Sequence, residues 1–365
     1  MKLTVKVKLL PTPEQKASLV RTIEVSNEAC NYISQIAFTE KKFGQIGLHK
    51  LVYYDVREKF KLSAQMTVRA VGKVSESYRV EKKTLHVFKK HSALVYDQRI
   101  LSFKGLDTVS ILSLDGRFKI PIVFGVYAKL EQRRIRGQAD LLYQKGNLFL
   151  CLCVEIPDGI PIDTKEILGI DMGICNLASD SNGNSFSGKQ VDIVRERTTK
   201  IKAKLQRRGS TSAKRHLKKI SGKEARFKRN TNHVVSKKIV QLAQDTCRSI
   251  ALEELKGFNG RQTVRKAQRE RFGKWAFEQL KNFIEYKAQI AGIPVILVNP
   301  KNTSRRCSQC GHIEKANRKS QSEFVCKHCN FSLNADWNAA KNISYLASVK
   351  MPIVAKSSEY IADVA

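Results

Sequence analysis

The sequence has few acidic residues and no long apolar run. Its 365 residues include 33 Asp and Glu against 66 Lys and Arg, which gives a formal net charge of +33. No stretch approaches the roughly 20 apolar residues that span a bilayer. Residues 1–6 alternate apolar and polar side chains and lack the apolar core of a signal peptide. We therefore expect an intracellular protein without a membrane partner.

The surplus of positive charge predicts a polyanionic partner. Charges of one sign repel each other in a compact chain unless an anion meets them, and nucleic acid is the commonest large anion in a cell. The alternatives are a ribosomal-type protein and a merely basic enzyme. A membrane-surface role is disfavoured because the basic residues are spread through the chain rather than gathered on one amphipathic helix.

Hydrophobic periodicity divides the chain into parts of different secondary structure. Residues 2–9 alternate like a half-buried strand, residues 14–91 have a helical pattern with a clear helix near 63–83, and residues 93–156 alternate again. The segment 157–161 contains two prolines and a glycine and marks a domain boundary. Beyond it, strands separated by helices indicate an α/β layer with parallel pairings.

The spacing of four of the nine cysteines indicates a zinc site. Cys307-x2-Cys310-x15-Cys326-x2-Cys329 has the form of two CxxC knuckles, which together complete a tetrahedron of thiolates. The segment between the knuckles is polar and basic, with too few hydrophobic residues to fold without a metal. Four thiolates close the coordination sphere, so we expect one structural Zn²⁺. Four unrelated thiols are the alternative.

Three acidic residues lie at positions where burial of a carboxylate is energetically unfavourable. Asp171 ends the apolar strand ILGI, Glu253 lies within the strand SIALEEL, and Asp336 falls in the first turn of the final helix. A buried carboxylate carries a desolvation penalty unless a cation or a donor meets it. Three such groups could converge on two Mg²⁺ ions, which catalyse phosphodiester cleavage in two-metal sites.

Each of these residues also has an ordinary structural explanation. Asp171 could be a turn residue at the end of a strand, and Asp336 could serve the helix dipole. Glu253 and Glu254 point to opposite faces of the strand, and periodicity does not decide between them. His233 is interpreted as a capping or core histidine rather than a general base.

Four segments together resemble one known family. They are GIDMGICNLA at 169–178, ALEELKGF at 251–258, the long segment at 271–312 and NADWNAAKNI at 334–343. They are similar to the OrfB/TnpB proteins encoded by bacterial and archaeal insertion sequences, and the resemblance covers nearly the whole chain. This family consists of compact RNA-guided DNA endonucleases related to the type V CRISPR effectors.

The resemblance implies roles for individual residues. The family's catalytic, Mg²⁺-binding acids fall on Asp171, Glu253 and Asp336, so the match selects Glu253 over Glu254. The zinc ligands fall on a zinc ribbon inserted before the last helix of a RuvC-like domain. All three acids and all four cysteines are in place, whereas some members that act as guided repressors have lost the acids.

We therefore expect a multi-domain protein with both β and α/β parts. It would comprise a β-barrel (wedge) domain at 1–10 and 92–160, a helical recognition domain at 11–91, a RuvC-like nuclease domain with an RNase H fold at 161–300 and 331–348, a zinc ribbon at 301–330 and a loosely ordered tail at 349–365.

The expected function is RNA-guided cleavage of DNA by two-metal-ion hydrolysis, with a guide RNA from the transposon end and target double-stranded DNA as partners. We expect a monomer with its RNA, in the cytoplasm and at the nucleoid of a bacterium or archaeon. The alternatives are a nuclease-inactive guided repressor, a transposition accessory protein, a strand-joining transposase and a zinc-ribbon RNA-binding protein with a decayed nuclease fold. A tyrosine transposase would carry a His-hydrophobe-His motif, which the chain lacks.

Two basic surfaces are candidates for nucleic-acid contact. Residues 191–230 hold 15 Lys and Arg against three acidic residues, and a helical hairpin there would place Arg207, Arg208, Arg226 and Arg229 along the phosphates of a guide–target duplex. A solvated helix face is the alternative. The helix near 63–83 carries Gln65, Arg69 and Lys73 on one face, which would either contact a short DNA motif beside the target or pack internally.

Overall fold

A computed structural model describes residues 1–105, 107–123, 135–164, 166–254 and 277–350. The chain forms two compact units, Met1–Pro157 and Asp158–Ala365. No helix within the described ranges is long and apolar enough to cross a membrane. The tail that we expect to be loosely ordered lies outside the described residues from residue 351 onward.

The first unit is built on a seven-stranded antiparallel sheet with the order β2-β6-β7-β1-β5-β4-β3. The first strand lies in the middle, because it pairs with the last from Lys2 opposite Glu155 to Lys8 opposite Phe149. The hydroxyl of Tyr96, on an edge strand, donates to the Leu112 carbonyl near the other edge at 2.7 Å, so the sheet curls toward closure. The strands are β1 (Lys2–Leu9), β2 (Leu94–Tyr96), β3 (Leu101–Lys104), β4 (Thr108–Ser113), β5 (Gly116–Val123), β6 (Ile135–Gln144) and β7 (Asn147–Glu155).

Three helices are inserted between β1 and β2: α1 (Pro13–Thr39), α2 (Gln45–Phe60) and α3 (Ala64–Val80). The first begins with a capping box, in which Thr12 and Gln15 bond each other's backbone amides. Ser63 caps α3 with a single bond, in which its hydroxyl accepts from the amide of Met66. The predicted strand at 2–9 and the helix predicted near residue 63 are both confirmed.

The helical pattern predicted up to residue 91 is wrong beyond Val80. Residues 81–93 form no helix because side chains of α1 bind their backbone instead. Asn27 donates to the carbonyls of Lys90 and Ser92, and Asn31 bonds both the amide and the carbonyl of Phe88. The apolar residues of this segment therefore do not mark a helix, because α1 side chains take up its backbone hydrogen bonds.

The polar face of α3 is occupied inside the first unit. Gln65 and Arg69 both bond the carboxylate of Asp97, and Lys73 donates to the Asn27 side chain at 2.9 Å. Of the two explanations offered by the sequence, internal packing accounts for these three side chains.

The second unit contains a five-stranded mixed sheet in the order β10-β9-β8-β11-β12. Strands β8, β11 and β12 run parallel, and β9 is antiparallel to both β8 and β10. The elements are β8 (Glu166–Asp171), β9 (Asn176–Asp180), β10 (Ser185–Ser187), α4 (Lys189–Arg208), α5 (Thr211–Asp245), β11 (Arg248–Glu253), α6 (Phe277–Ala291), β12 (Val295–Val298), a 3-10 turn at Lys315–Asn317, β13 (Glu323–Val325), β14 (Ser332–Asn334) and α7 (Ala335–Lys350). Residues 255–276, which precede α6, lie outside the described residues.

The basic segment 191–230 lies in the two helices α4 and α5. Gly209, with φ of 64°, ends α4 in the left-handed region, and Ser210 caps α5. The buried carboxylate of Glu224, on α5, pairs with Lys202 of α4 at 2.5 Å and with Lys228 of its own helix at 3.3 Å. The pair with Lys202 joins the two helices.

The final helix packs directly on the strand that ends in Asp171. A Cβ added to Gly169 would lie 2.1 Å from the Ala340 carbonyl oxygen, so only glycine allows this approach. Ser344 of α7 donates to the Ile167 carbonyl at 2.8 Å. The segment ILGI is thus a buried strand, and it needs glycine at position 169 because the backbone of α7 packs against that residue.

Candidate active site and metal centre

Two of the predicted acids lie side by side at the carboxyl ends of two inner strands of the sheet. Asp171 is the last residue of β8 and Glu253 the last residue of β11, and these strands pair in parallel with Ile170 opposite Leu252. Both carboxylates are therefore presented at the carboxyl ends of neighbouring strands. Glu254, the next residue, is exposed.

The third acid approaches from α7. Asp336 is 7% exposed, and its backbone amide donates to the Asn334 side chain at 3.0 Å, which caps the start of the helix. One carboxylate oxygen accepts from Asn176 at 3.0 Å, and the other faces the Arg318 guanidinium at 3.3 Å. The helix start and two donors thus fix the direction of this carboxylate.

The charges of the three acids act on one another. Burial, followed by repulsion from Glu253 and Asp336, raises the pKa of Asp171 to about 8, and Arg318 opposes this rise. Burial also raises the pKa of Glu253, against a hydrogen bond from Thr303 that lowers it. Without a cation the three acids therefore resist full ionisation at neutral pH. A divalent cation would remove that penalty and allow the cluster to ionise fully.

The Glu253 carboxylate has a protein donor on one oxygen. The Thr303 hydroxyl lies 2.6 Å from Glu253 Oε1, and Thr303 itself is 3% exposed. This threonine precedes the cysteine-rich segment, 50 residues beyond its partner. Sequence reasoning missed it, because nothing in a loop residue signals a contact with a distant strand end.

The four cysteines form a compact cluster. Their sulfur atoms all lie within 4.8 Å of one another, with 3.8 Å between Cys307 and Cys329 and 3.6 Å between Cys310 and Cys326. With Zn–S bonds of about 2.3 Å, the sulfurs of a zinc tetrahedron are about 3.8 Å apart, so the residues fit this metal. Although burial raises it, backbone hydrogen bonds from Cys329 and His328 lower the pKa of Cys326 to about 6. The cluster could therefore bind zinc.

Within the described residues, these cysteines are the group whose ligand atoms are already close enough to share one ion. The three carboxylates are neighbours that interact electrostatically, with Asp336 held by Asn176 and Arg318.

Three asparagines attach the cysteine segment and the acids to one helix. Asn334 caps α7, Asn338 accepts from the Ser308 amide at 3.0 Å, and Asn342 donates to the carbonyls of Thr303 at 2.9 Å and Arg306 at 2.6 Å. Asn338 and Asn342 lie four residues apart, so they share one face of α7, and both are buried. Buried polar residues at this spacing are the signal that sequence reasoning missed.

The other candidates are separate from the acid cluster. Arg207 and Arg208 are exposed at the end of α4, and Arg226 and Arg229 are exposed on α5. His233 stacks on Phe283 with ring centroids 3.9 Å apart, in keeping with a packed histidine. It lies well inside α5, so it does not cap a helix.

The fold and the site define a two-unit protein whose α/β unit carries a carboxylate cluster and a four-cysteine segment. The family model OrfB_IS605, described as a probable transposase, matches residues 152–257, and that of the Cas12f1-like TNB domain matches residues 277–343. Among curated proteins, the TnpB-like protein MJ0751 of Methanocaldococcus jannaschii is 30% identical over 50% of this chain and 69% of its own length. The chain therefore belongs to the OrfB/TnpB family.

Other relatives extend the comparison. The CRISPR-associated endodeoxyribonuclease Cas12f1 of Sulfoacidibacillus thermotolerans is 30% identical over 50% of this chain and 46% of its own length. The putative RNA-guided DNA endonuclease InsQ of Escherichia coli K12 is 28% identical over 54% of this chain and 53% of its own length. The chain thus spans about half the length of the Cas12f1 relatives that it matches.

Solved structures share the fold. A cryo-EM structure of a Cas12f1–sgRNA–target DNA complex has a TM-score of 0.64 at 16% identity, covering 90% of this chain and 83% of that one. The mini-RNA-guided endonuclease CRISPR-Cas_phi3 has a TM-score of 0.57 at 12% identity, covering 96% and 93%. The chain therefore shares its fold with these two proteins.

Proposed function

We propose that this protein is an RNA-guided DNA endonuclease that hydrolyses phosphodiester bonds of target DNA. The observation that carries the proposal is the meeting of Asp171, Glu253 and Asp336, from two parallel strand ends and one helix start. The names of the relatives as RNA-guided or CRISPR-associated DNA endonucleases support the same activity.

The three acids would hold two Mg²⁺ ions, whose oxygen preference the carboxylates match. When bound, paired metals activate water and stabilise the leaving oxygen of a phosphodiester. The chain's own contribution is to aim the carboxylates. Asn176 orients Asp336, Thr303 orients Glu253, and burial leaves Asp171 dependent on a cation for its charge.

The four cysteines would hold one Zn²⁺ with a structural role. Four thiolates occupy all positions of a tetrahedral site, so no position is left for a substrate. Holding the cysteine segment also holds Arg318, which lies between the two knuckles and pairs with Asp336.

The basic hairpin of α4 and α5 would lie along a guide–target duplex. Its exposed arginines Arg207, Arg208, Arg226 and Arg229 suit phosphate contacts, which carry no sequence information. Base pairing to a guide RNA, derived in this proposal from the transposon end, would select the target double-stranded DNA.

The finer fold assignments belong to the same proposal. The mixed sheet, with helices joining its parallel strands, supports a RuvC-like domain with an RNase H fold at 161–300 and 331–348. The curled sheet supports a wedge-type barrel at 1–10 and 92–160, interrupted by a recognition domain at 11–91. The cysteine cluster supports a zinc ribbon at 301–330.

The test is cleavage of a plasmid by the purified ribonucleoprotein. The protein is co-expressed with RNA transcribed from the transposon end and mixed with plasmids carrying a matching target and Mg²⁺. We expect cutting of the matched plasmid only, and none by the Asp171→Asn variant. Guided binding without cutting by the wild type would favour a repressor of the same family, and undiminished cutting by Asp171→Asn would overturn the assignment of the site.

A further inference from the structure

We propose that Thr303 is a positioning residue that fixes the Glu253 carboxylate relative to Asp336. This inference rests on the proposed function, because it concerns how the same site binds its divalent cations. Three hydrogen-bonded contacts support it: one from Thr303 to Glu253, one from Asn342 to Thr303 and one from Asn342 to Arg306.

The first contact is the hydrogen bond to Glu253. Thr303 Oγ1 lies 2.6 Å from Glu253 Oε1 and 3.1 Å from the Pro300 carbonyl oxygen. A hydroxyl has one proton, and it is held more strongly by an ionised carboxylate than by a carbonyl. The Thr303 hydroxyl therefore donates to Glu253, and this hydrogen bond stabilises the charged form of that carboxylate.

The second contact holds the threonine itself. Its carbonyl accepts from the Asn342 side chain at 2.9 Å, and Asn342 is 1% exposed on α7. Asn342 lies six residues after Asp336 on the same helix. A chain of contacts thus runs from the helix of one acid to the carboxylate of the other.

The third contact reaches the cysteine segment. Asn342 also donates to the carbonyl of Arg306 at 2.6 Å, next to Cys307. The loop that carries Thr303 is therefore anchored to α7 at Thr303 and again at Arg306. Because the loop is held in this way, the Thr303 hydroxyl stays in one place. Its hydrogen bond therefore favours one orientation of the Glu253 carboxylate.

The consequence concerns cation affinity. Because Thr303 uses one lone pair of Oε1, a cation would bind Glu253 chiefly through its other oxygen. Groups that orient a ligand in this way typically change metal affinity or activity by about 10- to 100-fold when removed. We therefore expect removal of the hydroxyl to weaken cation binding without abolishing guided DNA binding.

The experiment compares Thr303→Val, which keeps the shape and loses the hydroxyl, with Thr303→Ser, which keeps the hydroxyl. Mn²⁺ binding to the protein–RNA complex, without DNA, is measured from the loss of the free Mn²⁺ signal in electron paramagnetic resonance. We expect Thr303→Val to raise the Kd for Mn²⁺ at least about tenfold and Thr303→Ser to stay close to wild type. Glu253→Gln gives the reference for a lost ligand.

Two further measurements separate positioning from folding. Zinc content and the thermal midpoint report whether Thr303→Val is folded, and Thr303→Ala replaces it if the buried valine is not tolerated. In cleavage, the positioning role predicts a higher Mg²⁺ concentration at half-maximal rate with recovery at saturating Mg²⁺. A folded variant that lacks the hydroxyl and binds Mn²⁺ within twofold of wild type would overturn the inference.

Failure of this inference is distinguishable from failure of the proposed function. If the wild-type complex binds Mn²⁺ in a Thr303-dependent way but cuts no DNA, the proposed function fails and the positioning role stands. If the wild type cuts DNA and loss of the hydroxyl changes neither the Mn²⁺ affinity nor the Mg²⁺ dependence, the positioning role fails alone.

Discussion

The side-chain amide of Asn176 donates a hydrogen bond to the carboxylate of Asp336 at 3.0 Å, although 160 positions separate the two residues. This contact ties the first residue of β9 to the first turn of α7. Asp336 lies on α7, whereas Asp171 and Glu253 lie on strands of the sheet, so this contact links the third acid to the sheet. The site therefore depends on how α7 packs on the sheet as well as on where β8 and β11 end.

Loss of this amide should impair the site without unfolding it. We expect Asn176→Ala to slow guided cleavage by about 10- to 100-fold, because Asp336 loses an orienting donor. The measurement is the single-turnover cleavage rate at fixed Mg²⁺. The matched control is Asn184→Ala, since Asn184 donates to Asp180 at 2.9 Å in a turn outside the acid cluster. Equal rates in the two variants would contradict the role of Asn176.

Gly169→Ala should destabilise the second unit. The added Cβ would meet the Ala340 carbonyl oxygen at 2.1 Å and the Ser344 amide nitrogen at 2.6 Å, and backbone atoms cannot rotate away. Such overpacking typically lowers the free energy of unfolding by about 1–3 kcal/mol, and a clash with backbone atoms lies at the upper end of this range. The loss is measured as a lower thermal midpoint.

A glycine in an open environment provides the control for Gly169→Ala. Gly222 lies inside α5, where an added Cβ would meet only the flexible end of Arg226 at 3.4 Å. We expect Gly222→Ala to stabilise the protein by up to about 1 kcal/mol through helix propensity. A Gly169→Ala variant as stable as wild type would show that α7 does not pack closely on β8.

Metal removal should act on the cysteine segment first. We expect about one Zn²⁺ per chain by elemental analysis, and its loss in Cys307→Ser together with faster proteolysis between residues 301 and 334. Cys247→Ser is the control, because Cys247 is an exposed cysteine outside the cluster. Zinc-free protein with an intact, protected segment would contradict a structural zinc.

Stability without divalent cations should fall as the pH rises. The pKa of Asp171 lies at about 8 in the folded protein against an ordinary value of 3.8. Between these pH values the folded state holds a proton that the unfolded state has released, so this group's contribution to stability decreases from about pH 4 to about pH 8. Thermal unfolding in Mg²⁺-free buffer should show a component of pH dependence that Asp171→Asn lacks.

Added Mg²⁺ should oppose this effect. A cation that binds the ionised cluster stabilises the folded state by mass action, most strongly where Asp171 must lose its proton. We expect a larger rise in thermal midpoint on adding Mg²⁺ at pH 8 than at pH 6. Identical pH profiles for wild type and Asp171→Asn would show that Asp171 is not buried among like charges.

Much of the architecture could be predicted from periodicity. The alternation at 2–9 and at 148–156 predicted strands because one face of each is buried, and the apolar segment ILGI predicted a buried strand because both faces are covered. The helical pattern misled at 81–93, where asparagines of α1 satisfy the backbone instead. A pattern of apolar residues shows which side is buried but not which partner takes the backbone hydrogen bonds.

The candidate site could be predicted only in part. The positions of the acids follow from strand ends and a helix start, but periodicity left Glu253 and Glu254 open and only the family resemblance selected Glu253. The strand register aligns Leu252 with Ile170 and so brings Glu253 to the strand end beside Asp171. The contacts of Thr303 and Asn176 join residues 50 and 160 positions apart, and no local pattern encodes them. Tertiary packing determines them.

The adjacent acids Glu253 and Glu254 provide the most direct test of the proposed site. The two residues share side-chain size and charge, yet one ends β11 beside Asp171 and the other is exposed. The measurement is the guided cleavage rate of ribonucleoproteins carrying Glu253→Gln or Glu254→Gln, with target binding and zinc content checked in each. We predict that Glu253→Gln abolishes cleavage while retaining target binding, and that Glu254→Gln cuts at the wild-type rate. Cleavage that survives Glu253→Gln, or that is lost equally in both variants, would contradict an active site formed by Asp171, Glu253 and Asp336.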